Sequence, residues 1–336
     1  MLLTEIGEFG FINRISDKFK DLSIRGAIGI GDDCAVIPLN IKYANVVTTD
    51  MLVENVHFIR SKITPFELGY KTLAVNLSDI AAMGANPIAS FLSIAMPATI
   101  DIEYFDNFIE GYKQLSKKYN VPLLGGDTTR SENSIILNVT VFGSGQKSKL
   151  RLRSMAKKND IICVTNYLGD SAAGLKILLE NHHVSENEKY LIKCHNMPEP
   201  CIDEGIFLAG HYAVNAMIDI SDGIASDLKH ILKASNKSAI VDINRLPISP
   251  QLKIVAKKYN FNINELATSG GEDYKLLVTI AEKKFPEINE LFKNKFGHEL
   301  FPIGKIINNQ KCIINWEKDG NIIDEIKEGY NHFVSE

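Results

Sequence analysis

The pattern that most constrains this chain is an alternation of strand and helix signals that stops near the middle and then begins again. In the first half, the β-branched run 43–50 precedes a helix whose start is marked by Thr64 and Pro65 and whose end is marked by Gly84. The other elements predicted here are strands at 89–97, 121–128 and 134–143 and an amphipathic helix at 101–119.

The second half repeats this alternation after a polar, basic stretch at 145–159, which we interpret as a connection between domains. It contains strand signals at 160–166, 216–222, 239–244 and after the glycine pair of GGEDYKLLVTI, and helix signals at GDSAAGLKILLE and GIASDLKHILKAS. A length of 336 residues also favours about two domains. We therefore expect an α/β protein of the α+β type with domains at 1–145 and 146–336, each a mixed sheet covered by helices.

Composition excludes several classes of protein. The net charge of −4 argues against nucleic-acid binding, which requires a basic face. No apolar run reaches the roughly 18 residues that a membrane span needs. The first residues mix acids with apolar side chains, unlike a signal peptide. The five cysteines are scattered and form no CxxC pair, so neither a zinc site nor a disulfide framework is indicated. We expect a cytoplasmic protein.

Aspartates carry the functional signal, and most of them lie at strand ends or in glycine turns. They are Asp32, Asp33, Asp50, Asp79, Asp127, Asp219 and Asp222. Two carboxylates about 4 Å apart repel by roughly 4 kcal/mol at an effective dielectric near 20, so a cluster of them requires a cation. Oxygen ligands favour a hard cation such as Mg²⁺. Any single one of these acids is more often a turn residue or helix cap. Asp227, inside the following helix, is interpreted as a solvated residue.

The usual ATP-binding motifs are absent. The nearest approach to the pattern GxxxxGK[ST] is GDSAAGL, where Leu175 replaces the lysine, and the protein-kinase motifs are missing. Any ATP would therefore be held by metal ions, glycine-turn amides and an arginine. The start of GDSAAGL could receive an anion at a helix N-terminus, although packing of small residues explains it slightly better.

Several segments, in this order, resemble the thiamine-monophosphate kinase family, within the superfamily that includes aminoimidazole ribonucleotide synthetase. They are GEFGFI, GIGDDCAVI, TTDMLVENVHF, YKTLAVNLSDIAAMGANP, LLGGDTTRS, GDSAAGL, IDISDG, SGGEDY and GYNHF. The resemblance covers the whole chain. It implies the two-domain aminoimidazole ribonucleotide synthetase-like architecture, phosphorylation of thiamine monophosphate by ATP with direct in-line transfer, a cluster of Mg²⁺ ions, and a homodimer formed through the N-terminal sheets.

The resemblance also implies roles for individual residues. Those matching Mg²⁺ ligands are Asp33, Thr48, Thr49, Asp50, Asp79, Asp127, Asp219 and Asp222. Those matching ATP contacts are Gly126, Asp127, Arg153 and Ser221. Those matching contacts with thiamine monophosphate are His57, Glu272 and Tyr330. No catalytic base is expected, because the acceptor phosphate is already ionised and positioning with charge neutralisation can account for most of the rate.

Each of these residues also has a structural interpretation. Alone, His57 would be a surface or packing residue, Arg153 a solvated charge, Glu272 a turn residue and Tyr330 a core aromatic. Three positions depart from the family. Cys201 stands where an arginine is usual, Asn331 where an aspartate is frequent, and Ile109 where a nucleotide-contacting tyrosine is expected. At Cys201 we expect a lost salt bridge or phosphate contact.

Two alternatives remain at this point. One is another ATP-using enzyme of the superfamily, such as aminoimidazole ribonucleotide synthetase or selenophosphate synthetase. The latter needs a reactive cysteine or selenocysteine near the N-terminus, but no cysteine precedes Cys34, whose pKa we expect its acidic neighbours to raise. The other is a metal- or nucleotide-binding protein without activity. Retention of all the aspartates that match metal ligands argues against that alternative.

Overall fold

The structure is a computed structural model that describes residues 3–19, 22, 24–180, 184–323, 326 and 329. The helices in this part of the chain are α1 (Leu3–Lys18), α2 (Pro65–Ala82), α3 (Ile102–Tyr119), α4 (Asp170–Glu180), α5 (Glu186–Asn196), α6 (Ile202–Ala209), α7 (Ile224–Ser235), α8 (Pro250–Tyr259), α9 (Ile263–Ser269) and α10 (Phe285–Phe296). The strands are β1 (Ala35–Pro38), β2 (Tyr43–Val53), β3 (Asn86–Pro97), β4 (Leu123–Ser131), β5 (Ile136–Gln146), β6 (Ile161–Val164), β7 (Val214–Asp219), β8 (Ser238–Asp242), β9 (Leu276–Ile280), β10 (Phe301–Ile307), β11 (Ile314–Lys318) and β12 (Asn321–Ile323).

The first half of the chain forms a five-stranded mixed sheet in the order β1-β2-β5-β3-β4. Its pairs are antiparallel except for β3 with β4, which run parallel. Helices α2 and α3 cover one face and lie against each other at two glycines. A Cβ on Gly69 would come within 1.8 Å of the Phe108 carbonyl oxygen, and one on Gly111 within 1.8 Å of the Phe66 carbonyl oxygen. The two helix backbones therefore touch.

Helix α2 begins and ends where the sequence predicts. The Thr64 hydroxyl accepts from the Glu67 amide, and the Glu67 carboxylate accepts from the Thr64 amide, so a capping box satisfies two donors at the first turn. At the other end, Gly84 has φ +65°, a left-handed conformation that an alanine would disfavour. Because α2 packs against the first sheet and against α3, α6 and β7, nearly all of it is buried.

The second half forms a seven-stranded sheet in the order β12-β11-β8-β10-β6-β9-β7, in which only β8 and β11 pair in parallel within the described residues. The expectation of two mixed sheets covered by helices is confirmed. The two halves share apolar packing, because α2 lies against α6 so closely that a Cβ on Gly205 would come within 2.2 Å of the Ala81 carbonyl oxygen. None of the described helices has the length and apolar character required to cross a bilayer.

Candidate functional site

Three predicted metal ligands meet beside α2, which packs against both β2 and β7. Asp33 lies in the turn before β1, Asp79 on the last turns of α2, and Asp219 at the end of β7. One carboxylate oxygen of each lies within 4.8 Å of one from both others. Residues far apart in sequence thus form one acidic cluster, as the aspartate pattern predicted.

Neighbouring side chains hold the cluster in place. The Thr48 hydroxyl hydrogen-bonds to Asp79, and the Ser78 hydroxyl donates to Asp219 Oδ2 at 2.7 Å. The Asn76 side-chain oxygen accepts from the backbone amide of Asp50 at 3.0 Å. Helix α2 therefore supplies a ligand and also fixes the strand beside it.

Electrostatics in the protein alone oppose full ionisation of these acids. Burial, together with repulsion from Asp50 and Asp219, raises the pKa of Asp79 well above its ordinary value. Burial and Asp33 raise the pKa of Asp50 to about 6 and that of Asp219 to about 8. A cation among these oxygens would remove the repulsion and favour the ionised forms.

Arg153 supplies one positive charge to the cluster. Its guanidinium forms an ion pair with Asp33, and its backbone amide donates to Asp32 Oδ2 at 3.2 Å. Ser235 also fixes the backbone at Arg153, because its hydroxyl donates to the Arg153 carbonyl at 2.7 Å. Arg153 is therefore directed into the site and is not the solvated charge that a basic connection would suggest.

The oxygen atoms of the cluster fit a hard divalent cation such as Mg²⁺. The second carboxylate oxygen of Asp33 is buried and has no hydrogen-bond partner among the described residues. The ligand atoms available are carboxylate and hydroxyl oxygens, the type that Mg²⁺ prefers. A buried acceptor without a partner is costly unless a cation or proton satisfies it.

Two acids follow β7, Asp222 and Asp227, and the structure contradicts the sequence interpretation of Asp227. Asp222 lines the cavity described below, and burial with repulsion from Glu8 raises its pKa to about 6. Asp227 is not solvated: it is only 2% exposed, and its carboxylate accepts from the Asp222 amide at 3.2 Å. The interpretation of Asp227 as a solvated helix residue is therefore wrong, because α7 turns this side chain back onto its own N-terminus.

Two predicted metal ligands lie on the opposite face of the first sheet. Thr49 and Asp127 are both exposed, and Thr49 accepts from Asn138 and hydrogen-bonds to Thr140, each at 3.1 Å. Side chains alternate along a strand, so Thr48 and Asp50 face the cluster while Thr49 faces away. Asp127 on β4 pairs with Ser93 on β3, Ser93 pairs with Asn138 on β5, and Asn138 pairs with Met51 on β2. Asp127 is therefore three strand spacings from β2. At about 4.8 Å per spacing, it lies roughly 14 Å from β2. Gly126, beside it, is also exposed.

A cavity of about 490 Å³ extends from the acidic cluster towards the second half of the chain. This volume is in the range of small-molecule sites. Its lining includes, among others, Asp50, His57, Lys71, Val75, Asp79, Ala172, Leu175, His195, Asp219, Ser221, Asp222, Glu272 and Tyr274. Predicted metal, nucleotide and acceptor residues thus border one continuous space.

The loop that carries Glu272 has an unusual backbone. Glu272 has φ +63° and Tyr274 φ +49°, left-handed values that cost energy for residues with a Cβ. Between them, the buried Asp273 carboxylate accepts from the amides of Gly169 at 2.7 Å and Ser171 at 3.3 Å. The start of GDSAAGL is thus occupied by a carboxyl group of the chain itself. The strained loop directs Glu272 into the cavity.

Two residues that the sequence analysis missed hold Glu272. Lys71 Nζ lies 2.9 Å from Glu272 Oε2, and His195 Nδ1 lies 3.1 Å from the same oxygen. Burial alone would raise the pKa of Glu272, but Lys71 and His195 keep it below its ordinary value. A signal for Lys71 existed, since it is a lysine within the apolar pattern of α2.

His57 reaches the cavity from the turn after β2. Its Nδ1 accepts from the Val53 amide at 3.0 Å, which places the hydrogen of the neutral ring on Nε2. The turn is held by Glu54, which pairs with Arg60 and accepts from the Ile135 amide at 2.8 Å. The His57 ring is therefore held in place by a fixed turn.

Comparisons with known proteins match both halves of the chain. Residues 31–144 match the family "AIR synthase related protein, N-terminal domain", and residues 157–317 match "AIR synthase related protein, C-terminal domain". The chain is 40% identical over 336 residues to thiamine-monophosphate kinase of Buchnera aphidicola subsp. Schizaphis graminum, covering 98% of this chain and 100% of that protein. It is 38% identical to the enzyme of Haemophilus influenzae, covering 98% of each.

This chain belongs to the thiamine-monophosphate kinase family. A solved structure described as "AaThiL complexed with AMPPCP and TMP" has a TM-score of 0.86, with 31% identity and coverage of 99% of both chains. The family resemblance and the two-domain architecture expected from the sequence are thus confirmed.

The departures from the thiamine-monophosphate kinase pattern have local structural explanations where the structure describes them. Ile109 packs against the core on α3. Cys201 is buried, with its sulfur 3.8 Å from Thr165 Oγ1 and 3.7 Å from the Tyr274 carbonyl. Tyr330 and Asn331 lie outside the described residues. As expected, burial and nearby aspartates raise the pKa of Cys34 well above its ordinary value.

Proposed function

We propose that this protein transfers the terminal phosphoryl group of ATP to thiamine monophosphate and so makes thiamine diphosphate. The observation that carries the proposal is a cavity whose lining includes Asp79 and Asp219 of the acidic cluster together with Glu272. An enzyme that joins two phosphates must bring two anionic ligands together, and an acidic cluster suits that task only with cations. The relatives named above carry the same activity in their names.

The residues proposed to hold Mg²⁺ are those predicted from the sequence, with Asp33, Asp79 and Asp219 at the centre and Thr48, Asp50 and Asp222 around them. Bound Mg²⁺ supplies the positive charge that offsets the negative charge of two phosphates during in-line transfer. Thr48, Ser78 and Asn76 keep the surrounding oxygens in fixed positions. No side chain has to remove a proton, because the acceptor phosphate is already ionised.

For the acceptor we propose Glu272, His57 and Tyr330, and for ATP we propose Gly126, Asp127, Arg153 and Ser221. A carboxylate in a closed site suits a cationic thiazolium through opposite charge. It suits an amino-substituted pyrimidine through a charge-assisted hydrogen bond, which is stronger than a neutral one. The guanidinium of Arg153 suits phosphate oxygens for the same reason. Ser221 lies beside Glu272, whose amide donates to the Ser221 carbonyl at 2.7 Å.

We propose that a second copy of this chain covers the outer face of the first sheet. The face carries exposed apolar side chains, Met51, Phe91 and Phe142, next to the exposed edge strand β4 with Leu123 and Leu124. An exposed apolar face of this kind marks an interaction site. Thr49 and Asp127 lie on the same face, so a second copy is the means by which Asp127 would join an acidic cluster.

Mixing two inactive variants tests the shared site. Asp127→Asn and Asp79→Asn would each be inactive alone. If Asp127 acts in the partner's site, half of the randomly mixed dimers have one intact site, and about a quarter of wild-type activity returns. Absence of recovery from mixed dimers would place Asp127 in the site of its own chain. Light scattering gives the oligomeric state, with Leu124→Asp as the variant expected to be monomeric.

The activity itself is tested by incubating the protein with ATP, MgCl₂ and thiamine monophosphate and separating thiamine diphosphate and ADP by chromatography. Formylglycinamidine ribonucleotide, selenide and no acceptor are the comparison reactions, since they represent the other enzymes of the superfamily. ADP release that is independent of thiamine monophosphate would contradict the proposal.

We further propose the cytoplasm as the location and a domain boundary at 145/146. All five cysteines are free thiols, which suits a reducing compartment. The proposed boundary falls at the end of β5, between the two family matches.

A further inference from the structure

Lys71 is the most deeply buried charge beside the cavity. Its side chain is 0% exposed, and its ammonium group meets Glu272 Oε2 at 2.9 Å. A buried lysine is costly unless it is paired, so the fold retains it at a price in stability. It lies on the inner surface of α2, which also carries Val75 and Asp79 to the cavity wall.

His195 binds the same oxygen from the other side. Glu272 can only accept, so the hydrogen of the neutral imidazole lies on Nδ1. Burial and the charge of Lys71 lower the pKa of His195 to about 4, which keeps this ring neutral near pH 7. Ser171 Oγ lies 3.1 Å from the same Nδ1 and so helps to fix the ring.

Both partners therefore engage Glu272 Oε2. No described residue forms a hydrogen bond or ion pair with Oε1, so this oxygen remains for a ligand. The positions of Lys71 and Asp79 on α2 give the length of the site. Lys71 and Asp79 are eight residues apart, and a helix rises about 1.5 Å per residue, so the two ends are about 12 Å apart along the axis. That length suits a phosphate at the acidic cluster and a ring at Glu272.

We propose that Lys71 and His195 are positioning residues that select the acceptor, by holding Glu272 ionised and oriented for a ring that donates hydrogen bonds or carries positive charge. The inference rests on the proposed function, and it names two residues as determinants of acceptor specificity. Lys71 borders the cavity, but its side chain is fully buried and its ammonium group is paired with Glu272, so it acts through Glu272. Acceptor binding should therefore depend on Lys71, whereas ATP binding should not.

The test compares Lys71→Met, Glu272→Gln and the double variant in steady-state kinetics. Lys71→Met should raise KM for thiamine monophosphate about 10- to 100-fold, the range of a charge-assisted hydrogen bond, and leave KM for ATP within about twofold. If Lys71 acts only through Glu272, then Lys71→Met adds no further increase in a Glu272→Gln background. Equal increases for both substrates, or independent effects in the double variant, would overturn the proposal.

Two further variants separate this role from a structural one. Arg151→Met removes another buried cation, one that donates to the Ala209 carbonyl at 2.7 Å away from the cavity, so it should lower stability without changing KM for the acceptor. His195→Asn keeps a donor near Glu272 and should retain more acceptor affinity than His195→Leu. If Lys71→Met does not fold, Glu272→Gln is compared with the double variant, which has no charge at either position. Equal KM values for thiamine monophosphate support the proposal, and unequal values oppose it.

The proposed function and this inference fail in different ways. If the wild-type protein forms no thiamine diphosphate, the function is wrong. If the wild-type protein is active and Lys71→Met binds thiamine monophosphate normally in calorimetry without ATP, the function stands and the inference is wrong.

Discussion

The guanidinium of Arg153 pairs with the carboxylate of Asp33, so a protein cation occupies one side of the acidic cluster. The two residues are far apart in sequence, and the backbone of Arg153 is held by Asp32 and by Ser235. Asp33 keeps one buried oxygen without a partner in the described part of the chain. Arg153 therefore offsets some of the repulsion among the acids and leaves room for further positive charge.

Replacing Arg153 by methionine should change ATP binding and Mg²⁺ binding in opposite directions. We expect KM for ATP to rise by about 10-fold or more, because a phosphate contact is lost. We also expect Mg²⁺ to bind more tightly in the absence of nucleotide, because no side-chain cation competes for Asp33. Calorimetric titration with MgCl₂ measures the second effect, and Arg153→Lys is the charge-preserving control. Weaker Mg²⁺ binding by Arg153→Met would show that the arginine assists the metal.

Asp79→Asn should abolish activity without unfolding the protein. The loss should be at least about 100-fold, or roughly 2.7 kcal/mol of transition-state stabilisation. Removing one of several repelling buried acids should leave the metal-free melting temperature unchanged or higher. Thermal unfolding with EDTA and with MgCl₂ checks this, and Asp106→Asn on the exposed side of α3 is the control. A large fall in stability with EDTA would mean that Asp79 is mainly a structural residue.

Gly126→Ala should disturb the pairing of β3 with β4. Gly126 has φ +156°, and an added Cβ would lie 1.7 Å from the Leu92 carbonyl oxygen. We expect a loss of roughly 1 to 3 kcal/mol in unfolding free energy, together with weaker ATP binding. The neighbouring Gly125→Ala is the matched control, since its Cβ would meet only the Phe91 ring at 3.4 Å. Similar denaturant midpoints for the two variants would contradict this account.

Asp273→Asn should make stability less dependent on pH. Burial raises the pKa of Asp273 to about 7, above the unfolded value near 4, so the folded state binds the extra proton. Its contribution to stability is complete below about pH 4 and is lost as the pH rises through about 7. Relative to wild type, the variant should therefore gain in melting temperature between pH 5 and pH 8. A difference that stays constant across this range would mean that the carboxyl ionises normally.

The sequence was sufficient for features that depend on local chemistry. Thr64, Pro65 and Gly84 mark the ends of α2 because capping and left-handed backbone are properties of a few adjacent residues. Two mixed sheets also followed from the alternation of elements. The grouping of Asp33 and Asp219 was predictable because carboxylates at strand ends and in glycine turns tend to face one cleft, and Asp79 joins them from the last turns of α2.

Other features were beyond a reading along the chain. Asp227 looked solvated, yet α7 returns it to its own N-terminus. Thr49 and Asp127 matched a metal-ligand pattern, but strand alternation and sheet order place them on the outer face. The sequence by itself determined the ends of α2 and the set of acids, because these depend on neighbouring residues. Only the tertiary structure decided which side chains meet, including Lys71 with Glu272 and Arg153 with Asp33, because such contacts depend on how distant elements pack.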